Sequence, residues 1–243
     1  MIMTKIFAHR GYSGKYPENT LISFKKAIEY GANGIETDVQ MSRDGELILI
    51  HDEKIDRTSN GTGYVFNMSY DELRKLDFGR WKSKKFHGEK IPKLSELLEL
   101  VQDKNIELNL EIKNNIIHYP NIEEKIIALI SEFKMEDMVI ISSFNHDSVL
   151  KCKNINNKIR CGPLTFSNII NPYKYVNEYK FDTFHPMYRS LDEEKINVLK
   201  NNCIPIYTYT VDIEEEMKFL IKNDIEGIIT NEVEIALKCL INE

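Results

Sequence analysis

Glu36 and Asp38 stand two apart in one apolar run, and Glu111 and Lys113 two apart in another. Alternation along an extended strand turns each pair to one face. His9 and Arg10 close a third apolar run, and His51 closes a fourth. Three carboxylates brought together repel one another, and all stay ionised only with a cation among them. Glu36, Asp38 and Glu111 are hard oxygen donors, with no thiol beside them and no imidazole at ligand spacing. That donor set suits Mg²⁺ or Ca²⁺ rather than zinc or copper. Arg10 and Lys113 add fixed positive charge, either for a phosphate beside the metal or as counter-ions to the carboxylates. His9 and His51 carry the side chain whose proton is most available near neutral pH. Flanking such a site, they suit the general base and general acid of a phosphoryl transfer. One acidic residue at a strand end commonly makes a surface salt bridge. Three at neighbouring strand ends point to a site.

The elements that position these residues read as an alternation of short apolar runs and amphipathic segments, the pattern of a parallel α/β fold. Strands are predicted at 5–8, 34–41, 107–112, 138–142, 159–164, 183–185, 206–210 and 227–230. Thr20 caps a first helix carrying Leu21, Phe24, Ala27 and Ile28, and Gly31 ends it. Further helices are predicted at 94–104, 121–133, 191–202, 213–223 and 232–240. Asp44-Gly45 is a hairpin turn signal, so 47–51 runs back along the second strand. From 53 to 91 the rhythm breaks into a polar insertion holding the only tryptophan, Trp81, which reads either as a lid or as a structural excursion. Eight βα units in about 250 residues fit a TIM (β/α)8 barrel with a small insertion after the second strand. No glycine-rich loop of the nucleotide-binding type follows any strand, which argues against an open doubly wound sheet. Of the other histidines, His87 and His118 are expected to be exposed and His146 to open a helix. His185 either lines the barrel mouth or is structural.

A chain of 243 residues, 42% hydrophobic and 29% charged, is neither disordered nor collagenous, and 1–243 reads as a single domain. Its apolar runs are far shorter than the roughly 20 residues of a membrane span, so stable membrane insertion is not expected. The first eight residues are too short and lightly charged for a signal peptide, and a cytoplasmic location is expected. The net charge of −6, with no basic stretch interleaved with aromatics, argues against nucleic acid as a partner. Cys152, Cys161, Cys203 and Cys239 lack the short paired spacing of zinc or redox sites and are expected to be buried, reduced thiols.

The residues arrive in the order of a known pattern: His9-Arg10-Gly11, Pro17-Glu18-Asn19-Thr20, Glu36-Thr37-Asp38-Val39, then Asp44-Gly45 followed by His51-Asp52. Arg57-Thr58, Gly61-Thr62-Gly63, Ile91-Pro92-Lys93-Leu94, Leu110-Glu111-Ile112-Lys113, Ser142-Ser143-Phe144, Tyr209-Thr210-Val211 and Gly227-Ile228-Ile229-Thr230 continue it over nearly the whole chain. The chain resembles the glycerophosphodiester phosphodiesterase family. The resemblance implies metal-dependent hydrolysis of small glycerophosphodiesters, such as glycerophosphocholine or glycerophosphoethanolamine, to sn-glycerol 3-phosphate and an alcohol. It also implies Glu36, Asp38 and Glu111 as metal ligands, His9 and His51 as catalytic residues, and Arg10 and Lys113 as phosphate contacts. Tyr209 stands where the family usually has tryptophan, and still offers an aromatic face to an alcohol head group. Asp212 and Asn231 replace a frequent asparagine and aspartate, and are expected to be peripheral. The alternative is a lysophospholipase D- or phospholipase-type phosphodiesterase, which favours an apolar rim. No exposed aromatic cluster is evident from the sequence, unless Tyr64, Phe66, Tyr70, Phe78, Trp81 and Phe86 of the insertion supply one.

Overall fold

The computed structural model describes residues 4–241. Strand β1 (Lys5–His9) leads to helix α1 (Leu21–Glu29), and β2 (Gly34–Met41) to the short antiparallel arm β3 (Leu47–Leu49). The 53–91 segment contains helix α2 (Tyr70–Lys75) and precedes α3 (Leu94–Val101). Six further units follow: β4 (Glu107–Ile112) with α4 (Ile122–Glu132), β5 (Val139–Ser143) with α5 (His146–Ile155), and β6 (Arg160–Thr165) with α6 (Pro172–Glu178). Then come β7 (His185–Pro186) with α7 (Glu193–Asn201), β8 (Tyr207–Thr208) with α8 (Glu214–Lys222), and β9 (Gly227–Thr230) with α9 (Val233–Ile241).

All strands but β3 pair in parallel, in the order β7-β6-β5-β4-β2-β1-β9-β8. Backbone hydrogen bonds from Tyr207 N to Phe184 O (3.0 Å) and from Tyr188 N to Tyr209 O (3.1 Å) join β8 to β7 and bring the ring round to closure. The expected barrel is therefore present. The two shortest strands, β7 and β8, meet at this seam, where bridges outside the strands carry the pairing.

Alternation sorts each strand between two cores. Ile6 and Ala8, Ile35 and Val39, and Leu108, Leu110 and Ile112 face the surrounding helices. Phe7, Ile140, Tyr207 and Ile229 form a separate buried plug within the barrel. Gly34 has no side chain because the Phe7 ring would lie 2.4 Å from its Cβ. Above the plug the interior turns polar. Register puts His9 level with Glu36, and Asp38 level with Glu111.

The 53–91 segment has a small core of its own, Ile55, Val65, Leu73, Phe78 and Ile91, closed against Ile48 and Ile50. Asp77 organises its turns by accepting backbone N–H groups from Gly79, Arg80 and Gly88 at 2.9 Å. Ser69 caps α2 reciprocally with Glu72, a signal legible as Ser-x-x-Glu. Of the aromatic residues of this segment, Phe78 packs within its core and Tyr64 and Trp81 cover its edge. Lys82 Nζ reaches Ser13 O at 2.6 Å, and Phe86 packs on Tyr16, tying the segment to the loop after β1.

Candidate active site

Of the residues expected from the sequence, Glu36, Asp38, Glu111, His9, Arg10, Lys113 and Tyr209 lie at or just beyond the C-terminal ends of barrel strands, and His51 follows the antiparallel arm β3. Glu36 and Asp38 project from β2 and Glu111 from β4, all buried, with one carboxylate oxygen of each within 4.8 Å of the others. The backbone at Arg10 turns to φ +56, and its N–H donates to Glu36 Oε2 at 3.1 Å. That turn carries the chain away from β1 while leaving His9 in the site, its Nε2 3.8 Å from Glu36 Oε2. His9, Glu36, Asn109, Glu111, Ser142, Leu164, Tyr209 and Ile229 enclose about 20 Å³, enough for one water-sized occupant. A wider open hollow of about 750 Å³ beside α5 is lined by Lys153 and Asp182, which pair with each other.

Positive charge is distributed by side chains that the carboxylates engage. Lys113 Nζ lies 2.6 Å from Glu111 Oε1 and 3.1 Å from Asp38 Oδ1, and Arg10 Nε lies 3.3 Å from Asp38 Oδ2. Asn19 Nδ2 donates to Asp38 Oδ2 at 2.8 Å while its Oδ1 accepts from Thr37. Glu18 joins Arg10 to Arg57, and Arg57 forks onto Asp52 at 2.7 and 3.0 Å. Asp52 Oδ1 in turn lies 2.6 Å from His51 Nδ1. Gln40 Nε2 reaches the carbonyls of Ile50, His51 and Asp52 at 3.1, 2.9 and 2.8 Å, so β2 also holds the segment bearing His51. Asn19 entered the sequence reading only within Pro17-Glu18-Asn19-Thr20, without a role, and Gln40 not at all. Gln40 had a signal, as a polar residue on the same strand face as Glu36 and Asp38.

The 9–235 stretch matches the model of the glycerophosphoryl diester phosphodiesterase family. A glycerophosphodiester phosphodiesterase of Caldanaerobacter subterraneus subsp. tengcongensis is 43% identical over 234 residues, 96% of each chain. The chain belongs to this family. Another glycerophosphodiester phosphodiesterase, from Bacillus altitudinis, is 39% identical and covers 97% of this chain and 98% of its own. A phosphodiesterase of Oleispira antarctica, solved in complex with the product sn-glycerol-3-phosphate, superposes with a TM-score of 0.89 at 26% identity. That likeness spans 99% of this chain and 98% of the other. Family membership makes the chain a phosphoric diester hydrolase built as a TIM barrel.

In this phosphodiesterase the acidic cluster fits a divalent cation. Burial raises the Glu36 carboxyl well above the ordinary range, and repulsion from Asp38 and Glu111 raises it further. Burial raises Glu111 too, with Lys113 working against it. Asp38 is held far below the usual range: burial opposes this, but Lys113 and Arg10 outweigh it. Asp38 Oδ1 is buried and accepts no hydrogen bond, with Lys113 Nζ 3.1 Å away as an ion pair, while Glu111 Oε1 is held by Lys113 at 2.6 Å. An oxygen atom left unbonded in this way is a donor for a hard cation. Burial, and behind it Arg10, pushes the His9 ring down to about 4, so the ring is neutral at physiological pH.

Three expectations require correction. Asp212 and Asn231 are not peripheral, because Asn231 Oδ1 lies 2.8 Å from His9 Nδ1 and Asp212 Oδ2 holds the Asn231 amide at 2.6 Å. Cys203 is exposed in the turn after α7, with φ +56, while Cys152, Cys161 and Cys239 are buried. An aromatic cluster with one exposed member does exist, outside the insertion, with Phe144 and Tyr209 half-buried. Phe144 and Phe166 stack at 4.5 Å, each 6.0 Å from Tyr209, and Phe166 is 64% exposed. Tyr209 lines the site with its ring and donates its hydroxyl to Thr165 O at 2.9 Å. His185 is fully buried, stacked on Tyr207 and bonded to Thr183, which gives it a structural place inside the barrel.

Proposed function

We propose that this enzyme hydrolyses glycerophosphodiesters such as glycerophosphocholine or glycerophosphoethanolamine, releasing sn-glycerol 3-phosphate and an alcohol, with Mg²⁺ or Ca²⁺ required. The observation that carries the reading is the meeting of Glu36, Asp38 and Glu111 with His9, Arg10 and Lys113 in one buried cluster. Glu36, Asp38 and Glu111 would hold the metal, which when bound supplies charge that polarises phosphate oxygens. With their carboxylates so engaged, Arg10 and Lys113 turn part of their charge to the phosphate.

His9, neutral and partnered by an amide, suits the base that takes a proton from the attacking hydroxyl or water. His51, partnered by the Asp52 carboxylate, suits the acid that protonates the leaving alkoxide. Asp52 is held below the usual carboxylate range by His51 despite partial burial, and by Arg57. The 53–91 segment belongs to the same catalytic unit on this reading, since Arg57 reaches Asp52 and Glu18 together.

The test is release of sn-glycerol 3-phosphate from glycerophosphocholine with Mg²⁺, with Ca²⁺ and with EDTA. Release in both metal-free and metal-loaded protein removes the metal from the reading, and no release with either metal removes the substrate. A second reading, lysophospholipase D activity, has the Phe144–Phe166 wall in its favour, since an open apolar surface suits an acyl chain. Turnover of lysophosphatidylcholine above glycerophosphocholine, lost in Phe166→Ala, would favour it.

A further inference from the structure

Asp212 follows β8, Asn231 follows β9 and His9 ends β1, on three neighbouring strands. Asp212 gathers donors: Thr230 Oγ1 at 3.0 Å and Asn231 N at 2.8 Å on Oδ1, and Asn231 Nδ2 at 2.6 Å on Oδ2. A carboxylate only accepts, so the Asn231 amide must present its nitrogen to Asp212 and its oxygen to the opposite side. There Asn231 Oδ1 accepts from Ser13 Oγ at 2.6 Å and meets His9 Nδ1 at 2.8 Å. An amide oxygen has no hydrogen to give. The hydrogen between the two groups therefore belongs to His9 Nδ1, and whenever the ring is uncharged its lone pair falls on Nε2, the nitrogen on the Glu36 side.

We propose that Asp212 and Asn231 are positioning residues, which lock His9 in the Nδ1–H tautomer and so keep Nε2 free to accept a proton. The catalytic part of this statement rests on the reading of His9 as the base; the tautomer does not. The backbone around Asn231 is fixed as well, because Gly14 N donates to Asn231 O at 3.2 Å and a Cβ at Gly14 would lie 2.5 Å from that oxygen. With an amide in place of the Asp212 carboxylate, nothing would oblige Asn231 to point its nitrogen away from His9. A turned amide would donate to Nδ1 and drive the hydrogen to Nε2, where the ring has nothing to accept with.

The experiment is a long-range proton–nitrogen NMR spectrum of the metal-free, ¹⁵N-labelled protein at neutral pH, with His9 assigned by its loss in His9→Gln. The expected signature is a protonated Nδ1 and an unprotonated Nε2. A protonated Nε2 in the wild-type protein overturns the proposal by itself, and that measurement needs no variant to fold. Asp212→Asn is expected to move the signature toward Nε2–H and to lower kcat by ~10²-fold or more with KM little changed, as a wrong histidine tautomer does elsewhere. The swap Asp212→Asn with Asn231→Asp returns a carboxylate acceptor to Nδ1, and is expected to restore the signature and bring kcat to within roughly 10-fold of wild type. A folded Asp212→Asn protein with unchanged signature and rate refutes the lock. A wild-type protein with the expected tautomer that hydrolyses no glycerophosphodiester refutes the assigned reaction and leaves the lock standing.

Discussion

Replacing Glu36 by Gln should make the metal-free protein more stable and, at the same time, blind to divalent metal. The glutamine keeps the shape and the oxygen that accepts the Arg10 N–H, and removes one buried charge. At an effective dielectric near 20, two carboxylates at the 4.8 Å limit of this cluster repel by about 3.5 kcal/mol. Arg10 and Lys113 cancel much of that, leaving a net strain of about 1–3 kcal/mol at pH 8. For a chain of this length each kcal/mol moves Tm by about 2–4 °C, so the variant in EDTA should melt roughly 2–12 °C above wild type. The pH dependence has a definite sign. Glu36 and Glu111 have folded-state values raised above their unfolded ones, so the folded protein holds more protons over the interval between. Metal-free wild type should therefore lose stability as pH rises from about 4.3, the ordinary glutamate value, through the raised folded values. The variant should show a flatter profile. Mg²⁺ or Ca²⁺ at 100 times its Kd should stabilise wild type by about 2.7 kcal/mol and leave the variant unmoved. Thermal melts at pH 5 and pH 8, each with EDTA or metal, read all of this. A variant that is folded at pH 5 yet melts below wild type at pH 8 in EDTA would refute the argument, as would a wild-type Tm indifferent to both metals.

Three further outcomes are expected. His51→Ala and His9→Ala should each lower turnover of glycerophosphocholine by ~10²- to 10⁴-fold, and a diester with a nitrophenolate leaving group should rescue His51→Ala alone, because such a group needs no proton. Equal rescue of both would reverse or abolish the assignment of acid and base. Arg57→Ala releases Asp52 from Glu18 and should cut kcat/KM by about 10-fold, roughly the cost of one loosened charge-assisted link; unchanged kinetics would mean that Gln40 alone holds the His51 segment. Leu73→Ala opens a cavity in the fully buried core of the 53–91 segment and should cost about 2–5 kcal/mol, read by denaturant unfolding. A loss under 1 kcal/mol would show that this core contributes little.

The strand ends were legible because alternation by two needs no knowledge of neighbours. Glu36 with Asp38 and Glu111 with Lys113 could be placed on shared faces, and the polar tips of β1 and the β3 arm followed. The three-carboxylate cluster then required only that the strands be adjacent. Asn231 and Asp212 were misjudged for the opposite reason. Each looks like an ordinary polar residue just beyond a strand, and its partner is fixed by closure of the barrel, not by anything local. The aromatic cluster was hidden in the same way: Phe144, Phe166 and Tyr209 come from three separate loops, and no window of sequence contains them together. Cys203 lies just past the end of a predicted helix and was expected to be buried, but the chain leaves α7 by a left-handed turn there, and the thiol is carried outward.

The bond between His9 and Asn231 spans 222 residues of chain. Synthesis runs from the amino end at about 5–20 residues per second, so His9 leaves the ribosome's active centre roughly 10–45 s before its partner is made. Through that interval β1 lacks the neighbour β9 that completes one of its edges, and the histidine has no amide to hold it. The contact that holds the His9 ring thus forms only when β9 slots in beside β1, at the last pairing of the barrel to be synthesised.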